Sequence, residues 1–256
     1  MWSQVRARHV AAGVAVYAAG TALGLAVIQG RAPPESPAGA CACKFDGLAA
    51  EYDRRIGLSE KLAGILGYRR RLLGGVGGAT LEVAAGTGRN LEYYDPRQVR
   101  ELVLCDVSAP MVAEARRKVS ELKLGELAMV VEGDSLRLPF DDDSFDNVVD
   151  TFGLCSLRDP DRALSEMRRV CKPGGSVRLL EHGRSATGHR WVDWWLDLRA
   201  ERHAERWGCW WNRDVAAIVA RCEGLVVSER DTFHLGTTQL YVLRKMPGAA
   251  GTALTL

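Results

Sequence analysis

The chain has 256 residues and nearly balanced charge, 34 basic against 32 acidic side chains for a net +2. That excludes the strong cationic field of a generic nucleic-acid binder, and the length fits one α/β domain plus an appendage rather than two domains. Seven cysteines are an odd number for a disulfide framework and point to a reducing compartment. No Cys or His pair stands at zinc-ligand spacing, so no metal is expected, and Cys41-Ala42-Cys43 is left unassigned.

After a basic tail over residues 1–9, Val10 to Ile28 carry no charge and are almost wholly apolar, long enough for an upright transmembrane or targeting helix. Residues 29–44, with Pro33, Pro34 and Pro37, read as a linker. A domain is expected over 45–245, followed by a tail over 246–256. Leu62, Ile65, Leu66, Leu72 and Leu73 recur at helical spacing, which predicts a helix or helical pair before the first strand. Arg69-Arg70-Arg71 reads as a solvated helix face.

From Ala79 onward strands and helices alternate, the pattern of a parallel sheet with helices on both faces. Strands are predicted at Thr80–Ala84, Glu101–Cys105, Ala128–Glu132, Phe145–Phe152 and Ser176–Leu180. Pro110 opens a helix bearing Met111, Ala115 and Val119 on one face. A helix over Arg162–Val170 stops at Lys172-Pro173-Gly174-Gly175. Asn212 is expected to cap a helix over Arg213–Cys222, before an antiparallel pair at Leu225–Ser228 and Gln239–Leu243.

The first strand ends in Gly86-Thr87-Gly88, a turn that lets backbone pass close to a ligand. Acids recur at the following strand ends. Asp106, 18 residues past Gly88, is placed to accept hydrogen bonds from ribose hydroxyls, and Asp134 to receive an adenine amine, with Ser135 and Leu136 beside the ring. These positions indicate a nucleoside cofactor. Leu91 stands where a dinucleotide fold requires its third glycine, which disfavours a pyrophosphate.

With these motifs the sequence resembles the class I S-adenosylmethionine-dependent methyltransferases of the methyltransferase domain 11 branch. Glu82-Val83-Ala84-Ala85-Gly86-Thr87-Gly88 matches the family's E-x-G-x-G-x-G signature with Ala84 in place of the first glycine. Gly133-Asp134-Ser135, Asp143-Ser144-Phe145-Asp146 and Lys172-Pro173-Gly174-Gly175 match its later elements. The resemblance implies a Rossmann-like sheet with helices on both faces, here preceded by one N-terminal transmembrane helix. It also implies S-adenosyl-L-methionine as cofactor, held by Glu82, Ala84, Gly86, Thr87, Gly88, Asn90, Asp106, Val107, Met111, Asp134, Ser135 and Thr151. The N-terminal apolar run, Gly86-Thr87-Gly88-Arg89-Asn90, Val149 to Ser156 and Leu180-Glu181-His182-Gly183 are similar to Oms1-type mitochondrial inner-membrane methyltransferase-like proteins. More distantly they are similar to the methyltransferase-like 7 thiol methyltransferases of endoplasmic reticulum or lipid droplets.

Asp150-Thr151-Phe152-Gly153 stands where amino-group methyltransferases carry an Asn-Pro-Pro-Tyr-like turn, which argues against nucleobase or glutamine amines. Glu181-His182, at the end of the fifth strand, supplies the candidate catalytic pair, with His182 as base. Cys155 reads as core. Six of the seven tryptophans fall between Trp191 and Trp211, with Trp191, Trp194 and Trp195 expected to pack a helix into the core or to meet an apolar substrate or membrane interface. The expected activity is methyl transfer to a small lipophilic acceptor, a quinone-type ring or thiol, on the mitochondrial inner membrane, with no nucleic-acid partner. Alternatives are a methyltransferase-like scaffold factor and an RNA or protein methyltransferase.

Overall fold

A computed structural model describes residues 45–247. The expected membrane helix, the linker, the Cys41-Ala42-Cys43 pair and most of the C-terminal tail lie outside the described residues. Among the described residues no helix is long and apolar enough to cross a membrane.

Seven strands form one mixed sheet in the order β3-β2-β1-β4-β5-β7-β6. They are β1 (Gly78–Val83), β2 (Val99–Asp106), β3 (Ala128–Glu132), β4 (Phe145–Thr151), β5 (Cys171–His182), β6 (Leu225–Phe233) and β7 (Thr238–Lys245). The first five are parallel, and β7 runs antiparallel between β5 and β6. Strand order reverses between β1 and β4, so their carboxyl ends open a crevice there.

Among the described residues the sheet is accompanied by the helices α1 (Tyr52–Leu62), α2 (Ile65–Leu73), α3 (Ala109–Glu121), α4 (Pro160–Val170), α5 (Arg190–Trp207) and α6 (Val215–Arg221). Period-two alternation sends Leu81, Val83, Val103, Val148, Val177 and Leu179 to one face, against Leu164 and Met167 of α4 and Ile218 of α6. It sends Leu102, Leu104, Val149 and Leu180 to the other, against Leu72 of α2 and Ala115 of α3. Both faces are therefore buried, which explains the near-continuous apolar runs of the central strands.

Local chemistry sets the boundaries. The expected helical pair is split by Gly64, at φ 73, a left-handed turn that glycine makes without steric cost. Ser108 caps α3 by accepting from the Met111 amide. Lys172-Pro173-Gly174-Gly175 lies inside β5 as a register shift, with Phe145 opposite Cys171 and Asn147 opposite Ser176. The cap of α6 is Asp214, which accepts from the Ala217 amide. Asn212, expected there, instead donates its side-chain amide to Asp197 at 2.9 Å.

Of the two roles expected for the tryptophans of α5, packing into the core is not the one Trp191 and Trp195 take. Val192, Leu196 and Ala200 form its buried stripe, while Trp191 and Trp195 are exposed. The buried stripe therefore sits one position beyond the one the indole spacing implied.

Candidate functional site

The crevice at the β1–β4 switch is built by backbone shape. Ala84 leaves β1 at φ 49, followed by Gly86 at φ 55 and Gly88 at φ 73. The two glycines do different work. A Cβ on Gly86 would meet nothing within 4 Å, so its bare face looks into the cleft, whereas one on Gly88 would sit 2.8 Å from the Leu91 side chain. Gly86 leaves space for a ligand, and Gly88 lets the turn pack on the core.

Asp106 closes the opposite wall. Its carboxylate accepts from the Gly86 amide at 2.8 Å and the Ser108 amide at 2.9 Å. Burial raises its pKa above the ordinary carboxylate value, partly offset by these two donors. Val107, Met111, Thr87, Ala84 and Thr151 complete the cleft. An acceptor carboxylate, a Cβ-free backbone wall and the apolar Val107 and Met111 together fit the ribose and flat ring of a nucleoside cofactor.

Several expected contacts stand behind that wall. Glu82 is fully buried and accepts from Asn90 at 3.0 Å and the Tyr94 hydroxyl at 2.8 Å. Burial pushes its pKa up to about 7 against those hydrogen bonds. Glu82, Asn90 and Gly88 therefore shape the turn from below and do not line the cleft. Asp134 and Ser135 do not line it either; Asp134 accepts from the Leu136 amide at 2.9 Å and lies 3.8 Å from Arg158. The loop after β3 folds back on itself, and the Asp134 carboxylate serves that turn.

The arginine run holds a residue that sequence reasoning missed. Arg69 is buried, not solvated, and donates to Glu60 at 2.7 Å, Asn90 at 2.9 Å and Thr151 at 3.0 Å. Glu60 also pairs with Arg89. A buried cation needs partners, and these are supplied by α1, the glycine turn and the end of β4. Arg70 and Arg71 are exposed, as expected. The signal available was three arginines beside an apolar stripe, with nothing to say which one turned inward.

A second cavity, about 380 Å³, opens beyond Phe152 and is walled by Ile56, Ile65, His182, His203, Trp207 and Cys209. Phe45, Tyr52, Phe152 and Ser156 border both spaces. His182 thus reaches a cavity adjoining the cofactor cleft, its ring stacked 4.3 Å from that of Phe152. Burial lowers the His203 pKa to about 4, so that imidazole is neutral at physiological pH.

Glu181 does not join His182 there. It is fully buried behind the wall, where it accepts from the Cys155 amide at 3.1 Å. Burial, the neighbouring Asp150 and Cys155 push its pKa well up. Successive strand residues point to opposite faces, which separates the expected pair. Cys155 is fully buried, as expected, yet its Sγ lies 3.1 Å from that of Cys209, which is itself 3.9 Å from His182 Nδ1.

Residues 81–179 match the family described as the methyltransferase domain. The yeast (Saccharomyces cerevisiae) protein "Methyltransferase OMS1, mitochondrial" is 35% identical over 213 residues, covering 77% of this chain and 44% of that protein. A demethylmenaquinone methyltransferase of Thermobifida fusca is 36% identical over 148 residues, covering 55% of this chain and 60% of that one. The chain thus spans about half the length of these curated relatives. Among solved structures, a chain from the complex of the Haloferax volcanii Trm112 methyltransferase activator with a methyltransferase superposes with a TM-score of 0.61. It is 20% identical, covering 79% of this chain and 98% of that one, a likeness of fold.

Proposed function

We propose that this chain, which carries a methyltransferase domain of the class I S-adenosylmethionine-dependent type, is a membrane-anchored methyltransferase acting on a small lipophilic acceptor, a quinone-type ring or a thiol. The observation that carries this reading is the shared border of the two spaces. Phe152 borders both a cleft built for a nucleoside and an apolar cavity of about 380 Å³, so a bound cofactor and an acceptor would meet beside its ring.

When bound, the cofactor supplies a methyl carbon made electrophilic by its sulfonium. The residues of the chain do the rest. Asp106, Gly86, Val107 and Met111 hold the nucleoside end. Phe45 and Tyr52, at the start of the helical cap, cover both spaces and exclude water, which favours an in-line transfer over hydrolysis. His182 faces the acceptor cavity and is the group placed to take a proton from an acceptor thiol, phenol or ring carbon. The apolar lining selects a lipophilic acceptor over a polar polymer. The domain boundaries at 45 and 245, the anchor over residues 10–28 and a mitochondrial inner-membrane location belong to the same reading, supported by the uncharged N-terminal run and the yeast relative's name.

Calorimetry of S-adenosylmethionine on the full chain, with Asp106→Ala as control, tests the first half. Methyl transfer from labelled donor to a panel of quinone precursors and alkyl thiols tests the second. Binding lost in the variant together with turnover of either class supports the proposal. A folded chain that binds no cofactor overturns it and leaves a scaffold role.

A further inference from the structure

The wall of the second cavity brings together three metal-ligating atoms that no linear motif announces. Cys155 follows β4, His182 ends β5, and Cys209 follows α5; their ligand atoms all lie within 4.8 Å of one another. We propose that Cys155, Cys209 and His182 form a three-ligand site for a thiophilic divalent cation, with Zn²⁺ the best fit, whose fourth position opens to the acceptor cavity.

Geometry supports the assignment. Bond lengths of about 2.3 Å to sulfur and 2.0–2.1 Å to nitrogen give a tetrahedron ligand-to-ligand edges of roughly 3.5–3.8 Å. The sulfurs lie 3.1 Å apart and Cys209 Sγ lies 3.9 Å from His182 Nδ1, each within about 1 Å of its tetrahedral edge, and the third edge is within 4.8 Å. The juxtaposition does not depend on the thiols themselves. The Trp210 amide donates to the Cys155 carbonyl at 2.8 Å, and the left-handed Gly208, at φ 72, turns the chain so that Cys209 meets Cys155. Stacking on Phe152 fixes the imidazole plane.

The charges also balance. Two thiolates and a neutral imidazole around a divalent cation give a neutral unit, the form a buried wall tolerates. Binding breaks two S–H bonds, forms two sulfur–metal bonds and releases two protons to solvent, with no change of oxidation state. Cys155 is fully buried and Cys209 nearly so, while His182 and Cys209 reach the cavity. This is the arrangement of a site with an open position rather than a closed structural one. On the methyltransferase reading, that position would take the acceptor's sulfur or oxygen as its anion, with its proton leaving to solvent. His182 would then anchor the cation while the cation lowers the acceptor's pKa. This last step rests on the proposed function; cation binding does not.

The test uses the full chain, reduced with a phosphine and stripped of metal. One equivalent of Zn²⁺ is expected per chain, and Co²⁺ in its place should give the intense visible bands of a tetrahedral thiolate site. Cys155→Ser, Cys209→Ser and His182→Gln should each weaken Zn²⁺ by more than the roughly 10–100-fold that loss of an outer hydrogen-bond partner costs. The wild-type Co²⁺ spectrum needs no variant, so a variant that fails to fold leaves the question decidable. No stoichiometric uptake by the wild type, a six-coordinate cobalt spectrum, or wild-type affinity in a folded Cys155→Ser chain overturns the site. Asp106→Ala should lose S-adenosylmethionine and keep the metal, so failure of the cofactor reading and failure of the metal site are read separately.

Discussion

Phe152 stacks its ring 4.3 Å from the His182 imidazole, at an interplanar angle of 26°, from a backbone held at φ 61. A bulky residue in that left-handed region costs on the order of 1–3 kcal/mol and persists only where the surroundings over-determine it. Here they do. The Phe152 amide donates to the Leu180 carbonyl at 2.8 Å, its own carbonyl accepts from Cys155 and Ser156 at 3.3 Å, and the Arg69 guanidinium lies 5.4 Å from its ring centre. The strain sits where the cofactor cleft and the second cavity share a wall.

Truncating that ring separates its two roles. Phe152→Ala should raise the acceptor KM by roughly 2–10-fold, the equivalent of an aromatic pair worth about 0.5–1.5 kcal/mol. Phe152→Gly should be the more stable of the two variants in urea by about 1 kcal/mol, because only glycine is relieved at φ 61. That order reverses the usual alanine-over-glycine ranking, and an alanine variant at least as stable as the glycine one contradicts the backbone reading.

Arg69 is the link between α1, the glycine turn and β4. Replacing one member of a buried ion pair costs about 3–5 kcal/mol, and Glu60 keeps Arg89 as a second partner, so Arg69→Met should fall near the lower end. Arg69→Lys should rescue little of this, since one ammonium lacks the planar fork that reaches Glu60, Asn90 and Thr151 together. Urea midpoints give the stability change, and calorimetry of S-adenosylmethionine should show weakened binding, because Asn90 and Thr151 lose a common donor.

The sheet was legible because each central strand is buried on both faces and ends in a polar or glycine-rich turn, so a run such as Leu102 to Cys105 leaves few alternatives. Gly86 and Asp106 were legible for a related reason: short loops at strand ends fix where their atoms lie. Arg69, Cys155 and Cys209 were not. Each acquires its environment from partners distant in sequence, such as the 82 residues between Arg69 and Thr151, and nothing local distinguishes a buried arginine or a paired thiol from its neighbours. Glu181 and His182 were read as a pair because they are adjacent, although strand pleating sends adjacent side chains apart.

The pH dependence of stability follows from the buried acids. Glu82, fully buried, is pushed up to about 7 in the native chain against a normal value of 4.5, and burial also raises the pKa of Asp150. Between the two values the native state holds protons the unfolded chain has released. Stability should therefore fall as pH rises through this window, with the acids' contribution fully present only on its acid side. His203 opposes this below its normal 6.5, because its native pKa is lowered to about 4, so the acids are read most cleanly above pH 6.5. Urea midpoints from pH 6.5 to 8 should decline for wild type and decline less for Glu82→Gln, which can still accept from Asn90. An equal slope in the variant would remove Glu82 as the source.

Ala84 offers a substitution that should improve the fold. It occupies φ 49 at the end of β1, where the related signature has glycine, and the left-handed region costs a residue with a Cβ about 1–2 kcal/mol. Glycine would relieve that strain but would add chain entropy to the unfolded state, worth about 0.4–1 kcal/mol in the other direction. The first effect exceeds the second, so Ala84→Gly should stabilise the domain by up to about 1 kcal/mol, seen as a higher urea midpoint at unchanged slope. Ala84 also lines the cofactor cleft, and removing its methyl group takes away an apolar contact while loosening the turn that aims the Gly86 amide at Asp106. Affinity for S-adenosylmethionine should then stay level or weaken slightly even as stability rises. A variant both less stable and tighter in binding would show that the alanine's conformation is not strained and that its methyl group obstructs the cleft.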